Sequence, residues 1–235
     1  PRTARRRALT IPRCLATFAA KTGRKDVSES RLRPFGVAMI GTGMVAPTHA
    51  RALRDAQPPM RLAGVLSRRA ETARRFLDAL DGAEGTSPRI YPDVAAIAAD
   101  PEVDIALVLT PPNARLDLIA PLAKAGKAIL LEKPVARSIA EARVVVETCE
   151  EAGVPLGVVF QHRMRAASRA AAERVASGTL GALGLVEISV PWWREQGYYD
   201  EPGRGTYARD GGGVLISQAI HTIDLALSLT GPVAE

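Results

Sequence analysis

The sequence predicts an α/β protein whose first part is a doubly wound parallel sheet and whose second part is an incomplete α+β domain. From Phe35 onward, short apolar runs alternate with amphipathic segments of helical length, as in repeated β–α units. Some runs, such as "IALVL" at 105–109, are apolar at every position, which is typical of strands buried on both faces. A glycine-rich turn follows the first run directly and favours a strand–turn–helix opening.

The alternation defines the elements of the first part in order. Strands are predicted at Gly36–Ile40, Arg61–Leu66, Arg89–Tyr91, Ile105–Leu109, Ala128–Leu131 and Leu156–Phe160, and helices at Ala46–Ala56, Arg69–Leu80, Asp93–Ala99, Asn113–Ala125 and Ile139–Ala152. The last of these helices has both ends encoded in the sequence. Ser138 and Glu141 fit a capping box at its start, and Gly153 fits a left-handed stop at its end.

After Phe160 the alternation stops. A helix at Ser168–Ala176 leads to one strand, Leu185–Val190, and then to the polar and aromatic segment "PWWREQGYYDEPGRGTYARD". A further apolar helix follows three glycines. One strand and one helix cannot bury a core of their own. We therefore divide the chain into a first domain at 34–160 and the start of a second domain at 161–235, which is predicted to be truncated.

Charge is concentrated at the N-terminus. Residues 1–33 hold ten Lys or Arg and two acids, a charge of +8, so the other 202 residues carry −2 of the net +6. A basic arm for nucleic acid, an export signal interrupted by Arg13 and a disordered extension all remain open, and the extension is favoured. No nucleic-acid partner is expected.

The remaining composition excludes other classes. No apolar run approaches the roughly 18 residues that a membrane-spanning helix needs, so no membrane partner is expected. Cys14 and Cys149 have no metal or redox spacing, which predicts no metal site and fits a cytoplasmic protein.

The segment "VAMIGTGMVA" carries the first chemical signal. Gly41, Gly43 and Ala46 form G-x-G-x-x-A between a predicted strand and a predicted helix. Such a loop brings backbone N–H groups close to a pyrophosphate at the positive end of a helix. Residues 41–45, which include Thr42, Met44 and Val45, are therefore predicted to bind a dinucleotide, as in a Rossmann domain.

The end of the second strand, "GVLSRR", bears on the choice of dinucleotide. Folds that select NAD usually place an acid there to bind the ribose hydroxyls, whereas this chain has Ser67, Arg68 and Arg69. A hydroxyl and a guanidinium suit a 2′-phosphate, which favours NADP over NAD. The arginines would equally fit a solvated helix start.

Two more loops follow strands whose carboxyl ends should meet at one sheet edge. "LTPPNA" supplies Thr110, Pro111 and Asn113, with Asn113 also a candidate N-cap, and "LLEKPV" supplies Glu132 and Lys133. Open parallel sheets bind ligands at that edge, so these residues are predicted to line the cofactor crevice.

The last helix places polar groups on an apolar surface. Ser217, His221, Asp224 and Ser228 fall at helical spacing on one stripe. An imidazole there suits proton transfer near neutral pH, although a hydrogen-bonded core histidine is the alternative. Of the other two histidines, His49 is interpreted as structural. His162 lies near the predicted mouth without a supporting motif.

Three segments together, "GTGMVAPTHA", "EKPVA" and "DGGGVLISQAIHTIDL", resemble the Gfo/Idh/MocA oxidoreductases. The resemblance implies hydride transfer between NAD(P) and a sugar or cyclitol carbon, and a second domain with a large antiparallel sheet. It also implies that Lys133 contacts the reacting hydroxyl and that His221 is the acid/base. The Lys133–Pro134 bond would be cis.

The resemblance further implies that Arg163 and the Trp192–Tyr199 loop border the substrate, and that Ser217 and His221 face the nicotinamide. Many members have an aspartate where this chain has Ser217, and Asp224 would partly substitute for it. Most of the implied sheet is absent; with it, the protein is expected to form a homo-oligomer. The alternative function is a dinucleotide-binding remnant or partner subunit without turnover.

Overall fold

Six parallel strands form the sheet of the first part, in the order β3-β2-β1-β4-β5-β6. The computed structural model describes residues 33–80, 87–231 and 233. The strands are β1 Phe35–Ile40, β2 Met60–Leu66, β3 Arg89–Ile90, β4 Ile105–Val108, β5 Ala128–Glu132 and β6 Leu156–Val159. This is the strand order of a dinucleotide-binding Rossmann sheet, which confirms the predicted fold class.

Helices cover both faces of this sheet. They are α1 Ala46–Arg54, α2 Ala70–Asp78, α3 Val94–Ala99, α4 Leu116–Lys124 and α5 Ile139–Glu151. Successive side chains of β1 point to opposite faces: Val37 and Met39 pack with α1 and α2, whereas Ala38 and Ile40 pack with α3, α4 and α5. The apolar strands are therefore buried on both faces, as their sequences indicate.

The ends of α5 follow the sequence prediction closely. The Ser138 hydroxyl accepts a hydrogen bond from the Glu141 N–H at 3.2 Å, and Gly153 adopts a left-handed φ of +67°. The reciprocal half of the capping box is shifted by one residue, since the Glu141 carboxylate accepts from the backbone N–H of Arg137. Cys149 is 1 % exposed and belongs to the core.

The helix predicted at Asn113–Ala125 begins later than expected. A 3₁₀ turn, Pro112–Ala114, comes first, and α4 starts at Leu116 without a side-chain cap. Asn113 is exposed within the turn, so its predicted N-cap role is wrong. Pro112 fixes the first φ of this turn, which lets Arg115 rather than Asn113 precede the helix.

The second part contains short helices. They are a 3₁₀ turn Gln161–Met164, α6 Ala166–Ala176, α7 Gln196–Tyr199, α8 Tyr207–Asp210, a π-helical turn Leu215–Ala219 and α9 Ile220–Thr230. The predicted strand Leu185–Val190 is wrong: these residues pair with no strand in the described part of the chain, and Leu185 is 87 % exposed. A strand needs a neighbour for its backbone groups, and no described strand pairs with this segment.

The π-helical turn changes which residues of the last helix are buried. Three apolar side chains of the last helix, Val214, Leu215 and Leu227, are exposed. Gln218 and His221 are buried instead. The π-turn hydrogen-bonds i to i+5, so side chains around it depart from the 3.6-residue spacing of an α-helix.

Among the described residues, one stretch, Tyr207–Thr230, is long and apolar enough to cross a bilayer, with mean hydropathy 1.3. Core helices of soluble proteins meet the same criterion. His221 and Asp224 interrupt this stretch and contact the turn after β6. The absence of a membrane partner stays a prediction.

Arg33 belongs to the folded body rather than to the predicted extension. Its guanidinium forks onto the Asp104 carboxylate, with N–O distances of 2.7 and 3.0 Å, and Asp104 also accepts from the Gly36 N–H at 2.8 Å. This contact ties the start of β1 to the start of β4. The remainder of the extension, 1–32, lies outside the described residues.

Gly211 offers a direct test of how the second part docks on the first. Its φ is +85°, and a Cβ there would lie 2.6 Å from the Arg137 carbonyl oxygen. We expect Gly211→Ala to lower the unfolding free energy by at least about 1–2 kcal/mol, the cost of a left-handed alanine alone. Thermal unfolding would measure this as a loss of several degrees.

The matched control is Gly213→Ala, because nothing lies within 4 Å of a Cβ at Gly213 and its φ is not left-handed. Equal melting temperatures for the two variants would contradict the close docking at Arg137.

Candidate active site

The carboxyl ends of β1, β4 and β5 meet at one edge of the sheet. The strand order reverses between β1 and β4, and open α/β sheets hold ligands in the crevice at such a switch point. The loops after these three strands carry most of the predicted cofactor residues. The crevice therefore brings these predicted cofactor residues together at one edge of the sheet.

The glycine loop after β1 leaves room for a ligand. Gly41 has a φ of +101°, and a Cβ there would lie 3.3 Å from the backbone of Leu109 and Thr110. Gly43 differs, since an added Cβ would meet nothing within 4 Å. Met44 and Val45 are exposed at 76 % and 39 %. Open space beside Gly43 at the N-terminus of α1 fits a pyrophosphate.

The end of β2 lies beside this loop. The Thr42 hydroxyl donates to the Ser67 hydroxyl at 3.3 Å, which ties the glycine loop to the strand end. Arg68 and Arg69 follow and are exposed. No acid stands in this segment, so the polar groups available to an adenosine ribose are a hydroxyl and guanidinium groups.

Thr110 borders the same crevice. Its hydroxyl is buried and has no hydrogen-bond partner among the described residues. Such a group normally finds a partner, which supports a ligand here. Pro111 and Asn113 follow it and are exposed.

Arg115 is a site residue that sequence reasoning missed. It is 2 % exposed, and its guanidinium donates to the carbonyls of Thr110 at 2.9 Å and Glu132 at 2.5 Å, and to that of Pro134. Burial lowers its pKa to about 10, against the opposing charge of Glu132. It remains a cation at neutral pH and joins the loops after β4 and β5.

Glu132 and His49 form a partly buried pair. The His49 Nε2 lies 2.8 Å from the Glu132 Oε1, while the Glu132 Oε2 accepts from the Lys133 N–H at 3.0 Å. Burial opposes ionisation of Glu132, but His49 and Lys133 together hold its pKa below the usual value. The carboxylate predicted to contact cofactor is thus engaged by two protein groups. The predicted structural role of His49 agrees with this contact.

Lys133 joins the first part to the last helix. Its ammonium donates to the Ser217 carbonyl at 2.6 Å, and the Lys133–Pro134 peptide is cis as predicted. Burial lowers the pKa of Lys133 and the Arg115 charge adds to this, whereas Glu132 and Asp210 oppose it. The contact places the Lys133 ammonium at Ser217, which lies one helical turn before His221.

His221 is an imidazole held in its neutral form. It is 5 % exposed, and its Nδ1 is buried without a partner among the described residues. Burial, then the charges of Lys133 and His162, lower its pKa to about 4, against Glu132 and Asp224. It is therefore unprotonated at neutral pH, the state that a general base requires.

The predicted substrate residues are arranged differently from expectation. The Ser217 side chain turns to the Gly213 carbonyl at 2.8 Å, and its backbone carbonyl accepts from Lys133. Arg163 forks onto Asp224, with one N–O distance of 2.5 Å. Asp224 is consequently committed to Arg163, and the expectation that it replaces a carboxylate at Ser217 is not supported by this contact.

A second imidazole lies beside His221. The ring centres of His162 and His221 are 5.0 Å apart, and Trp192 stands edge-on to His162 at 5.8 Å. His162 had no supporting motif, and only the tertiary fold brings it here. Trp192 itself is 40 % exposed and keeps one side open to solvent.

Two family models match the chain. Residues 35–160 match the model of an oxidoreductase family with an NAD-binding Rossmann fold, and residues 168–235 match the C-terminal domain model of the GFO/IDH/MocA proteins.

Two curated relatives have names that describe their chemistry. The chain is 30 % identical over 199 residues to scyllo-inositol 2-dehydrogenase (NAD(+)) of Bacillus subtilis, covering 83 % of this chain and 53 % of that protein. It is 28 % identical over 214 residues to D-apiose dehydrogenase of Paraburkholderia graminis, covering 89 % and 53 %. The chain thus spans about half the length of these relatives.

Solved structures show the same similarity. The WlbA dehydrogenase of Bordetella pertussis, solved with NADH and UDP-GlcNAcA, matches with a TM-score of 0.78 and 28 % identity over 87 % of this chain and 57 % of that one. Aldose-aldose oxidoreductase of Caulobacter crescentus matches with a TM-score of 0.70 and 27 % identity, covering 85 % and 58 %.

Arg115 should stabilise the site measurably. Arg115→Leu would leave three carbonyls without their donor, and each such loss costs about 1–3 kcal/mol. We expect the unfolding free energy to fall by at least about 2 kcal/mol, measured by urea denaturation followed by circular dichroism.

The exposed Arg68 is the control, and Arg68→Ala should change stability by less than about 0.5 kcal/mol. Unchanged urea midpoints for both variants would show that the Arg115 contacts do not hold the two loops.

Proposed function

Because the chain belongs to the Gfo/Idh/MocA oxidoreductase family, we propose that it transfers a hydride between a nicotinamide dinucleotide and a hydroxyl or carbonyl carbon of a sugar or cyclitol. The observation that carries this proposal is the convergence of Lys133 and His221. The Lys133 ammonium bonds the Ser217 carbonyl, one turn before His221, at the end of the crevice. An ammonium beside a neutral imidazole suits proton transfer from an alcohol.

In this proposal, different crevice residues would contact different parts of the dinucleotide. The loop 41–45 would hold the pyrophosphate, and Ser67 and Arg68 would hold the adenosine ribose. Thr110 would contact the part of the dinucleotide that lies in the inner crevice. Bound there, the nicotinamide supplies the carbon that exchanges the hydride. The guanidinium and the missing acid favour NADP over NAD.

Lys133 and His221 have complementary tasks in the reaction. Lys133 has three donor hydrogens and uses one on Ser217, so it retains donors for the oxygen of a substrate hydroxyl. That contact stabilises negative charge developing on the oxygen. His221, neutral because its pKa is about 4, accepts the hydroxyl proton. In the reverse direction the same groups return the proton to a carbonyl oxygen.

A sugar or cyclitol is supported as substrate by two observations. The curated relatives are named for an inositol and for apiose. Trp192 stands at the site with a partly exposed ring, which can stack on the apolar face of a sugar. Arg163 is held by Asp224 and would border the substrate rather than bind it directly.

A dinucleotide-binding partner subunit is the second candidate. The observation in its favour is the exposed apolar surface of the last helix, including Val214 and Leu215, which is normal for a face that meets another segment or chain. Turnover by the purified chain separates the two candidates. A cytoplasmic location and a homo-oligomer remain predictions.

The cofactor preference can be measured by titration. We expect NADPH to bind about tenfold more tightly than NADH, or about 1.4 kcal/mol, because Arg68 pairs with the 2′-phosphate. Arg68→Ala should abolish that preference, whereas Arg51→Ala, an exposed arginine near the end of α1, should keep it. Equal affinities in the unmodified chain, followed by nicotinamide fluorescence, would remove the argument for NADP.

The paired roles of Lys133 and His221 predict separate effects on rate and binding. Lys133→Ala and His221→Ala should each lower kcat by about 10²–10⁴, with little change in cofactor affinity, because loop 41–45 is untouched. Lys124→Ala on α4 is the control and should leave kcat unchanged. Full activity in His221→Ala would disprove the mechanism.

The pH profile follows from the lowered pKa of His221. A base works only when unprotonated, so the rate of alcohol oxidation should stay flat as pH falls from 8 and decline only near the His221 pKa of about 4. An ordinary histidine would lose activity near pH 6.5. A midpoint between 6 and 7 in kcat/KM would show that another group, or an unperturbed His221, carries the proton.

A further inference from the structure

His162 is a buried imidazole that the proposed reaction does not use. It is 6 % exposed and lies in the 3₁₀ turn after β6, whereas His221 lies on α9. The ring planes of His162 and His221 are tilted by 33°, and their centres are 5.0 Å apart. Trp192 meets the His162 ring edge-on, at an interplanar angle of 74°. His162 thus separates Trp192 from His221 in a row of three rings.

The orientation of His221 depends on this packing because its hydrogen bonds are weak. Its Nε2 faces only the Gln161 amide nitrogen, at 3.4 Å, and its Nδ1 has no partner among the described residues. An acid/base histidine is usually oriented by a strong hydrogen bond from its second nitrogen. Beside His221, the His162 ring offers a tilted contact instead, with planes at 33° and centres 5.0 Å apart.

We propose that His162 is a positioning residue for His221, holding the imidazole by ring contact in one orientation near Lys133. The catalytic consequence rests on the proposed function, since it assumes that His221 moves the proton. The positioning itself is a property of the folded chain and can be tested without turnover.

The charged groups around the pair agree with this arrangement. Lys133 and His162 disfavour a proton on His221, while Glu132 and Asp224 favour one. Burial, and then the charge of Arg165, lower the pKa of His162 itself. Both imidazoles are therefore neutral at pH 7, and the contact between them is one of uncharged rings.

The sequence makes a spectroscopic test simple, because it contains only three histidines. With ¹⁵N-labelled histidine, the ring signals of His49, His162 and His221 can be assigned from single variants of the full chain. His162→Phe keeps a flat ring at this position, and His162→Ala removes it. Thermal unfolding establishes that each variant is folded before its spectrum is interpreted.

At pH 7 we expect one dominant tautomer of His221 in the unmodified chain and in His162→Phe. In His162→Ala the His221 signals should move toward those of free imidazole, with both tautomers populated, while the His49 signals stay in place. Unchanged His221 signals in folded His162→Ala would overturn the proposal. So would an equal disturbance in His162→Phe, since ring contact would then not be the cause.

Activity provides the second readout. With a sugar or cyclitol substrate, kcat of His162→Ala should fall about tenfold with KM little changed, and His162→Phe should restore most of it. A chain that never turns over would refute the proposed function while leaving the test of positioning by NMR intact. Full kcat in folded His162→Ala would overturn the catalytic consequence.

Discussion

The geometry of the site depends on one buried cation. The Arg115 guanidinium takes its acceptors from two loops, the carbonyl of Thr110 after β4 and those of Glu132 and Pro134 after β5. A buried guanidinium is tolerated only when its donors are satisfied, so neither loop can shift without exposing unpaired groups in both. The crevice hydroxyl of Thr110 and the ammonium of Lys133 are consequently fixed relative to each other before any ligand arrives.

From this anchor, a short series of contacts reaches the second part of the chain. Lys133 bonds the Ser217 carbonyl, and the helix that follows presents His221 to the same space. A second contact joins the parts at Arg137, which donates to the Ala208 carbonyl beside the glycine turn. Because the imidazole is buried and also lies near the Lys133 cation, its pKa is lowered and it stays neutral at neutral pH without a carboxylate partner.

Most strands and helices of the first part could be predicted from the sequence, because strands buried on both faces and the glycine loop have strong local patterns. The sequence also predicted α5 and the left-handed Gly153, and the family resemblance implied the Lys133–Pro134 cis bond. It could not reveal Arg115, since an arginine at the start of an amphipathic helix ordinarily faces solvent, and the carbonyls that justify its burial lie 5 to 19 positions away. The predicted strand Leu185–Val190 is wrong for a related reason, because alternation of apolar and polar residues gives a strand only when a neighbouring strand pairs with it.

Ser217 shows how a local difference alters the chemistry of the whole site. Its hydroxyl turns to the Gly213 carbonyl, and Asp224 is taken by Arg163, so neither group places a free carboxylate against the imidazole. Burial, and then the charge of Lys133, lower the pKa of His221 to about 4 against the opposing charges of Glu132 and Asp224. A carboxylate at that position would raise this value by favouring the imidazolium. In the proposed reaction, the lowered pKa keeps His221 unprotonated at neutral pH, the state that can take the hydroxyl proton, and also makes it a weaker base than an ordinary imidazole.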